Sequence, residues 1–361
     1  SNEFHFDTLI HLGLTHLLNG TNPIGLDEDL IRERGRTQNA PCRSIIFGLL
    51  LEQILTSCEA SIVLGQGVHA NLRQVTMQFL SPSISVRASL KSFHQTWVMG
   101  ILNLTPDSFH DGGAWNDTER AVAQADRMLR EGADILDLGA QSTRPGAEKI
   151  GAQEEWARLY PVLSALKKAY PDALLSIDTF HATVAKRALD AGADLINDVS
   201  GGDADPDMWK VVAEARAPYV MMHMQGTPMT MQSNPTYQDV VSDVYEKLQT
   251  KIFRAYDAGI TDVIADVGFG FGKTIMHNYA LLDALPEFLA LQCPVLVGVS
   301  RKSMIQKVLD ATSDDALNGT TTLHAWAVDR GAHILRVHDV AEATEVVKLH
   351  GALKQSRTSH P

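Results

Sequence analysis

Hydrophobic positions between residues 97 and 338 gather into eight short runs: 98–103, 135–139, 174–178, 195–198, 218–223, 263–268, 294–300 and 334–338. Their length and nearly continuous apolarity predict strands covered on both faces. Amphipathic stretches of helical length separate them. The stretch 116–131 ends at Gly132, 154–170 stops before Pro171, 183–191 ends at Gly192 and 237–258 ends at Gly259, as glycine and proline stop signals require. Helical patterns at 314–330 and 340–353 complete the set. Strand alternating with helix implies a parallel sheet with helices outside, and eight such units close a (β/α)8 TIM barrel. In such a barrel the reactive groups sit where strands end. The polar residues that follow each run are therefore site candidates before any motif is named.

The first 94 residues break this rhythm. A helix is expected at 41–57 and strands at 61–64 and 74–80, joined by a glycine-containing turn at 65–67, with 81–83 as connector. Residues 1–94 thus read as a small α/β or α+β N-terminal domain or extension without an assigned role, and 95–361 as the barrel. His5, His11, His16 and His69 lack the compact spacing of metal ligands and read as ordinary histidines. A net charge of −12 argues against a nucleic-acid or anionic-membrane binder. Cys42, Cys58 and Cys293 are scattered without CxxC spacing and read as buried thiols of a reducing compartment. The apolar stretch 44–55 is interrupted by Glu52 and Gln53 and is too short to span a bilayer. No signal-peptide pattern opens the chain, so a cytoplasmic location is expected.

The chemistry collects at the strand ends. The first run closes on Asn103, the third on Asp178, the fourth on Asn197-Asp198 and the sixth on Asp266. Each alone could cap a helix. Asp178, Asn197 and Asp266 together suit an N–H-rich flat heterocycle, because a carboxylate accepts two parallel N–H bonds. Phe271, inside the glycine-rich segment 268–272, reads as a stacking wall. Arg144, after the second run, suits phosphate. Ser300, Arg301, Lys302, Arg336 and His338 form a cationic corner after the last two runs, where barrels commonly hold phosphate.

The strings MGILNLTPDSF, STRPGA, MHMQGTP, GFGFGK, VGVSRKSM and RVHD occur in this order, and together they resemble the dihydropteroate synthase family from residue 97 to about 353. The resemblance implies a transferase that joins 6-hydroxymethyl-7,8-dihydropterin pyrophosphate to p-aminobenzoate. It implies that Asp178, Asn197, Asp266 and Lys302 hold the pterin, with Met222 and Gly298 lining its pocket. Asn103, Arg336 and His338 match the residues that hold pyrophosphate and Mg²⁺, with Asn103 the metal ligand. Thr143, Arg144, Pro145, Phe109, Phe271 and Ser303 match those that receive p-aminobenzoate. Asp178, Asp266, Lys302 and Arg144 are the expected catalytic set. The family further implies small-molecule substrates, a homodimer and a sulfonamide target. Gln141 stands where the family usually has Glu, Val267 replaces a usual Pro, and His110 a usual Ser. A methyltetrahydrofolate:corrinoid methyltransferase would share the Asp/Asn cradle but has no need of STRPG or SRKS. A silent pterin-binding barrel would be expected to lose Asn103, STRPG or Lys302, and this chain keeps all three.

Overall fold

The computed structural model describes residues 82–104, 114–141, 150–226, 231 and 235–359. The chain divides into two compact units, Ser1–Leu80 and Ser81–Pro361. The first lies outside the described residues, and with it the expected helix at 41–57, both early strands, Cys42, Cys58 and the four early histidines.

Eight parallel strands form the second unit: β3 (Trp97–Asn103), β4 (Ile135–Gly139), β5 (Leu174–Asp178), β6 (Leu195–Asp198), β7 (Tyr219–Met222), β8 (Val263–Asp266), β9 (Val295–Val297) and β10 (Ile334–Val337). They close into a barrel in chain order, with β10 pairing β3. The helices α1 (Ala114–Glu131), α2 (Ala152–Ala169), α3 (Ala182–Asp190), α4 (Met208–Ala215), α5 (Val240–Asp257), α6 (Ile275–Asp283), α7 (Ser303–Leu309), α8 (Leu317–Asp329) and α9 (Val340–Ser359) follow the strands, one after each except β9, which both α7 and α8 follow. Every strand expected from the apolar runs is present, within a few residues at its ends. The short helices α4 and α7 carry too few turns to give a periodic signal, which is why the pattern did not delimit them. No described helix is long and apolar enough to cross a membrane.

Alternate residues of each strand point inward, so the interior is layered. Met99, Ile135, Leu195, Val220, Ile264, Leu296 and Ile334 make one buried apolar floor. Two residues further along the same strands stand Ile101, Asp137, Asn197, Met222, Asp266, Gly298 and Arg336. The polar mouth is therefore the layer directly above the greasy one.

A hairpin closes the floor from below. Strands β1 (Ser83–Val86) and β2 (Ser89–Ser92) pair antiparallel, and Ile84, Val86 and Phe93 belong to the floor cluster. Its two-residue turn, Arg87-Ala88, has both residues left-handed, with φ 51° and 58°, the primed geometry that matches strand twist. Arg87 donates from Nε and Nη2 to the Asp194 carboxylate, 2.6 and 2.9 Å, and to the carbonyls of Pro171 and Ala173. Residues 82–94, grouped with the N-terminal segment in the sequence reading, pack with the barrel. The sequence hid the turn because it carries no Asn-Gly or Asp-Gly signal.

Candidate active site

One guanidinium ties three strands together at the mouth. Arg336 on β10 donates from Nε to Asp137 Oδ2 on β4 at 2.6 Å and from Nη2 to Asp178 Oδ2 on β5 at 2.7 Å. Asn197 on β6 donates from Nδ2 to the same Asp137 oxygen at 3.0 Å. Strand register makes this possible, since Asn103 pairs with Gly139, Gly139 with Asp178 and Asp178 with Asn197. Burial works against the Arg336 charge, but Asp137 and Asp178 outweigh it and hold the guanidinium protonated. Burial pushes the Asp178 carboxyl well above the usual carboxylate range, with Arg336 pulling it back and Asp137 adding to the rise.

Across the mouth, β8 ends on buried Asp266, whose Oδ1 accepts the Gly268 N–H at 2.8 Å. Burial raises the Asp266 carboxyl too, opposed chiefly by Lys302. The turn that follows tolerates only glycine at 268. Its φ is +72°, and an added Cβ would lie 1.9 Å from the His223 carbonyl oxygen. Phe271, on this turn, is half-buried, and the Lys302 ammonium lies 4.8 Å from its ring centroid while donating to the Phe269 carbonyl. Burial lowers Lys302 to about 8, with Asp266 favouring its charge. Lys302 caps α7, whose first residue is the exposed Ser303. Met222, at the end of β7, pairs in register with Asp266. Gly298 follows β9, and a Cβ there would sit 3.8 Å from the Lys302 ammonium.

The third part of the mouth is a cavity of about 580 Å³ whose wall includes Asn103, Arg120, Gln124 and His338. Exposed His338 places Nδ1 3.0 Å from Ser300 Oγ, and its backbone N–H donates to that same oxygen. Arg301 does not join this corner as the sequence suggested. Its backbone is left-handed at φ 54°, and its side chain makes a two-pronged pair with Asp339, 2.8 Å on each arm. Its charge is thereby neutralised away from the mouth. Phe109, His110, Thr143, Arg144 and Pro145 lie outside the described residues. Gln141 is buried, with its Oε1 lacking a partner among the described residues.

The structure thus gathers Asp178, Asn197, Asp266, Lys302, Phe271, Met222, Gly298 and Arg336 at one mouth, with Asn103 and His338 at its edge. Sequence reasoning missed two groups. Asp137 is fully buried with Oδ1 unpartnered among the described residues; its signal was a carboxylate inside the apolar run Ile-Leu-Asp-Leu-Gly. Lys273 and His223 form a buried pair under the 268–271 turn, Nζ to Nδ1 at 3.0 Å. Their signal was a lysine directly after the glycines.

A family model described as pterin binding enzyme matches residues 99–338. The dihydropteroate synthase of Haemophilus influenzae is 44% identical over 254 residues, which cover 70% of this chain and 92% of that protein. The chain belongs to the dihydropteroate synthase family. Solved members superpose closely. The Yersinia pestis synthase in a sulfonamide drug complex has a TM-score of 0.71 at 40% identity, covering 76% of this chain and 99% of its own. The Xanthomonas albilineans synthase with 4-aminobenzoic acid has a TM-score of 0.71 at 40% identity, covering 76% and 98%.

Proposed function

We propose that the barrel condenses 6-hydroxymethyl-7,8-dihydropterin pyrophosphate with p-aminobenzoate, yielding 7,8-dihydropteroate and pyrophosphate. The observation that carries this reading is the pair of buried carboxylates, Asp178 and Asp266, facing one mouth with Asn197, Arg336 and Lys302. The amino-amidine edge of a pterin offers N–H donors to such carboxylates, and Lys302 offers a donor to the ring carbonyl. The C–O bond between the pterin methylene and pyrophosphate breaks, and the electron pair leaves with pyrophosphate. Arg336, with Arg144, offsets the charge that develops there, and His338, held neutral by desolvation and by Arg336, offers a ring N–H donor. Asp178 and Asp266 favour the electron-poor pterin left behind. The amine nitrogen of p-aminobenzoate then forms the C–N bond and loses a proton to water or the departing pyrophosphate. Its lone pair is free at neutral pH, so no protein base must act first. Phe271 supplies the wall against which the aromatic amine lies, and Ser303, with Thr143, Pro145 and Phe109 of the family strings, is proposed to receive it.

Asn103 fits a magnesium ion held mainly by substrate. It is a neutral oxygen donor at the end of β3, on the same cavity wall as His338. Among the described residues no cluster of three His, Cys, Asp or Glu side chains offers a protein cage. A hard cation that keeps phosphate and water ligands needs only one such amide. When bound, Mg²⁺ supplies positive charge to the leaving group. Sulfonamides, which the Yersinia pestis protein binds, are proposed to take the place of p-aminobenzoate against Phe271. A cytoplasmic homodimer is part of the same reading; the free buried thiol of Cys293 is in keeping with a reducing compartment.

Mixing both substrates with the enzyme and Mg²⁺ should release pyrophosphate. Asp178→Asn should abolish binding of the pterin pyrophosphate in calorimetry, because an amide presents an N–H to the pterin's own N–H. Binding as tight as the parent's would show that the pocket is misassigned.

A further inference from the structure

Beneath the turn that carries Phe271 lies a cation that the reaction does not touch. Lys273 is 3% exposed. Its ammonium is 2.9 Å from the Gly268 carbonyl, 3.0 Å from the Phe271 carbonyl, 3.3 Å from the His223 carbonyl and 3.0 Å from His223 Nδ1. Burial lowers Lys273 to about 7, with Asp266 favouring its charge; when charged, the ammonium has hydrogens and no acceptor, so Nδ1 faces it as an acceptor with the imidazole hydrogen on Nε2. Burial, with Lys273 beside it, holds His223 neutral, pushing its pKa down to about 2.

The other groups on this turn are engaged as well. Phe271 N–H donates to the Gly268 carbonyl at 3.1 Å, Gly270 N–H to Asn278 Oδ1 at 2.7 Å, and Tyr237 O–H to the Gly272 carbonyl at 2.8 Å. Lys302 takes the Phe269 carbonyl from the substrate side. A left-handed glycine turn has many alternative conformations when unrestrained, and Lys273 joins its first carbonyl, Gly268, to the carbonyl of the wall residue itself.

We propose that Lys273, seated on neutral His223, is a positioning residue that fixes the Gly268–Phe271 turn and thereby sets affinity for the aromatic amine rather than for the pterin pyrophosphate. This inference rests on the synthase reading above. Asp266 is anchored by β8 itself, and its tie to the turn is the single Gly268 N–H, so loosening of the turn displaces the Phe271 ring more than the pterin carboxylates.

The test is a double-mutant cycle on the full chain. Lys273→Met should raise KM for p-aminobenzoate about tenfold while leaving the calorimetric Kd for pterin pyrophosphate within about threefold. In a Phe271→Ala background the same substitution should change that KM by less than about twofold, because the ring it positions is gone. Lys273→Gln, which keeps one amide donor for the Phe271 carbonyl, should recover part of the loss. Melting curves of each variant establish that the chains compared are folded. An unchanged KM in Lys273→Met, or a loss that adds fully to that of Phe271→Ala, overturns the proposal. So does failure of both Lys273 variants to melt cooperatively, since Lys273 would then serve the fold as a whole. A parent enzyme that releases no pyrophosphate from its two substrates removes the synthase reading first; normal parent turnover with additive losses removes this inference alone.

Discussion

Asp137 shows how one side chain can hold a site without facing the ligand. Its Oδ2 accepts from both Arg336 and Asn197, so it aims a guanidinium and an amide that approach from opposite sides of β4. Removing one partner of a buried ion pair strands the other, at a cost of about 3–5 kcal/mol. Asp137→Ala should therefore lower Tm by roughly 10 °C and cut kcat/KM for the pterin substrate at least about tenfold. Asp137→Asn, which keeps an oxygen acceptor, should lose much less of both. Scanning fluorimetry with pyrophosphate-release kinetics decides it, and equal behaviour of the two variants would show that Asp137 is only filler. Asp178, Asn197 and Asp266 were legible in the sequence because each ends a strand pattern. Asp137 was not, because β4 is buried on both faces and its flanking apolar residues hide which side faces inward. Lys273 escaped for a related reason: sequence gives no sign of whether a lysine beside glycines points to water or, as here, to three carbonyls.

At the level of elements, the β1–β2 hairpin does work that its sequence conceals. Ile84, Val86 and Phe93 are buried against strand starts around the barrel, and burying such a side chain contributes about 1.5–3 kcal/mol. A chain beginning at Ser81 should melt at least about 10 °C above one beginning at residue 95, with the same dependence of rate on p-aminobenzoate while both stay folded. Equal melting temperatures would make the hairpin an ornament. The barrel strands themselves were readable from apolar runs, and α1 ends as expected at left-handed Gly132. Helix α6 was not delimited, although Thr274 and His277 form a capping box at its start. Histidine in place of the usual Glu or Gln obscured that signal.

For the whole molecule, three of the exposed apolar side chains among the described residues lie on two neighbouring helices. Trp326 on α8 is 47% exposed, and Leu349 and Leu353 on α9 are 72% and 47% exposed. The proposed homodimer would use this pair of helices, since association covers exposed apolar side chains. Light scattering on a sizing column should report twice the 39.4 kDa chain mass; Trp326→Glu with Leu349→Glu should shift it to the monomer, and a dimer untouched by that pair would place the interface elsewhere. The sequence by itself determined the eightfold strand–helix alternation, the strand ends that carry chemistry and the family strings, because these are local patterns of period and spacing. Only the tertiary structure decided that Arg336 is shared by Asp137 and Asp178, that Arg301 turns away to Asp339, and that the hairpin within residues 82–94 closes the floor. Those pairings join residues as many as 199 positions apart, and their geometry is set by barrel closure and strand register, which no local window contains.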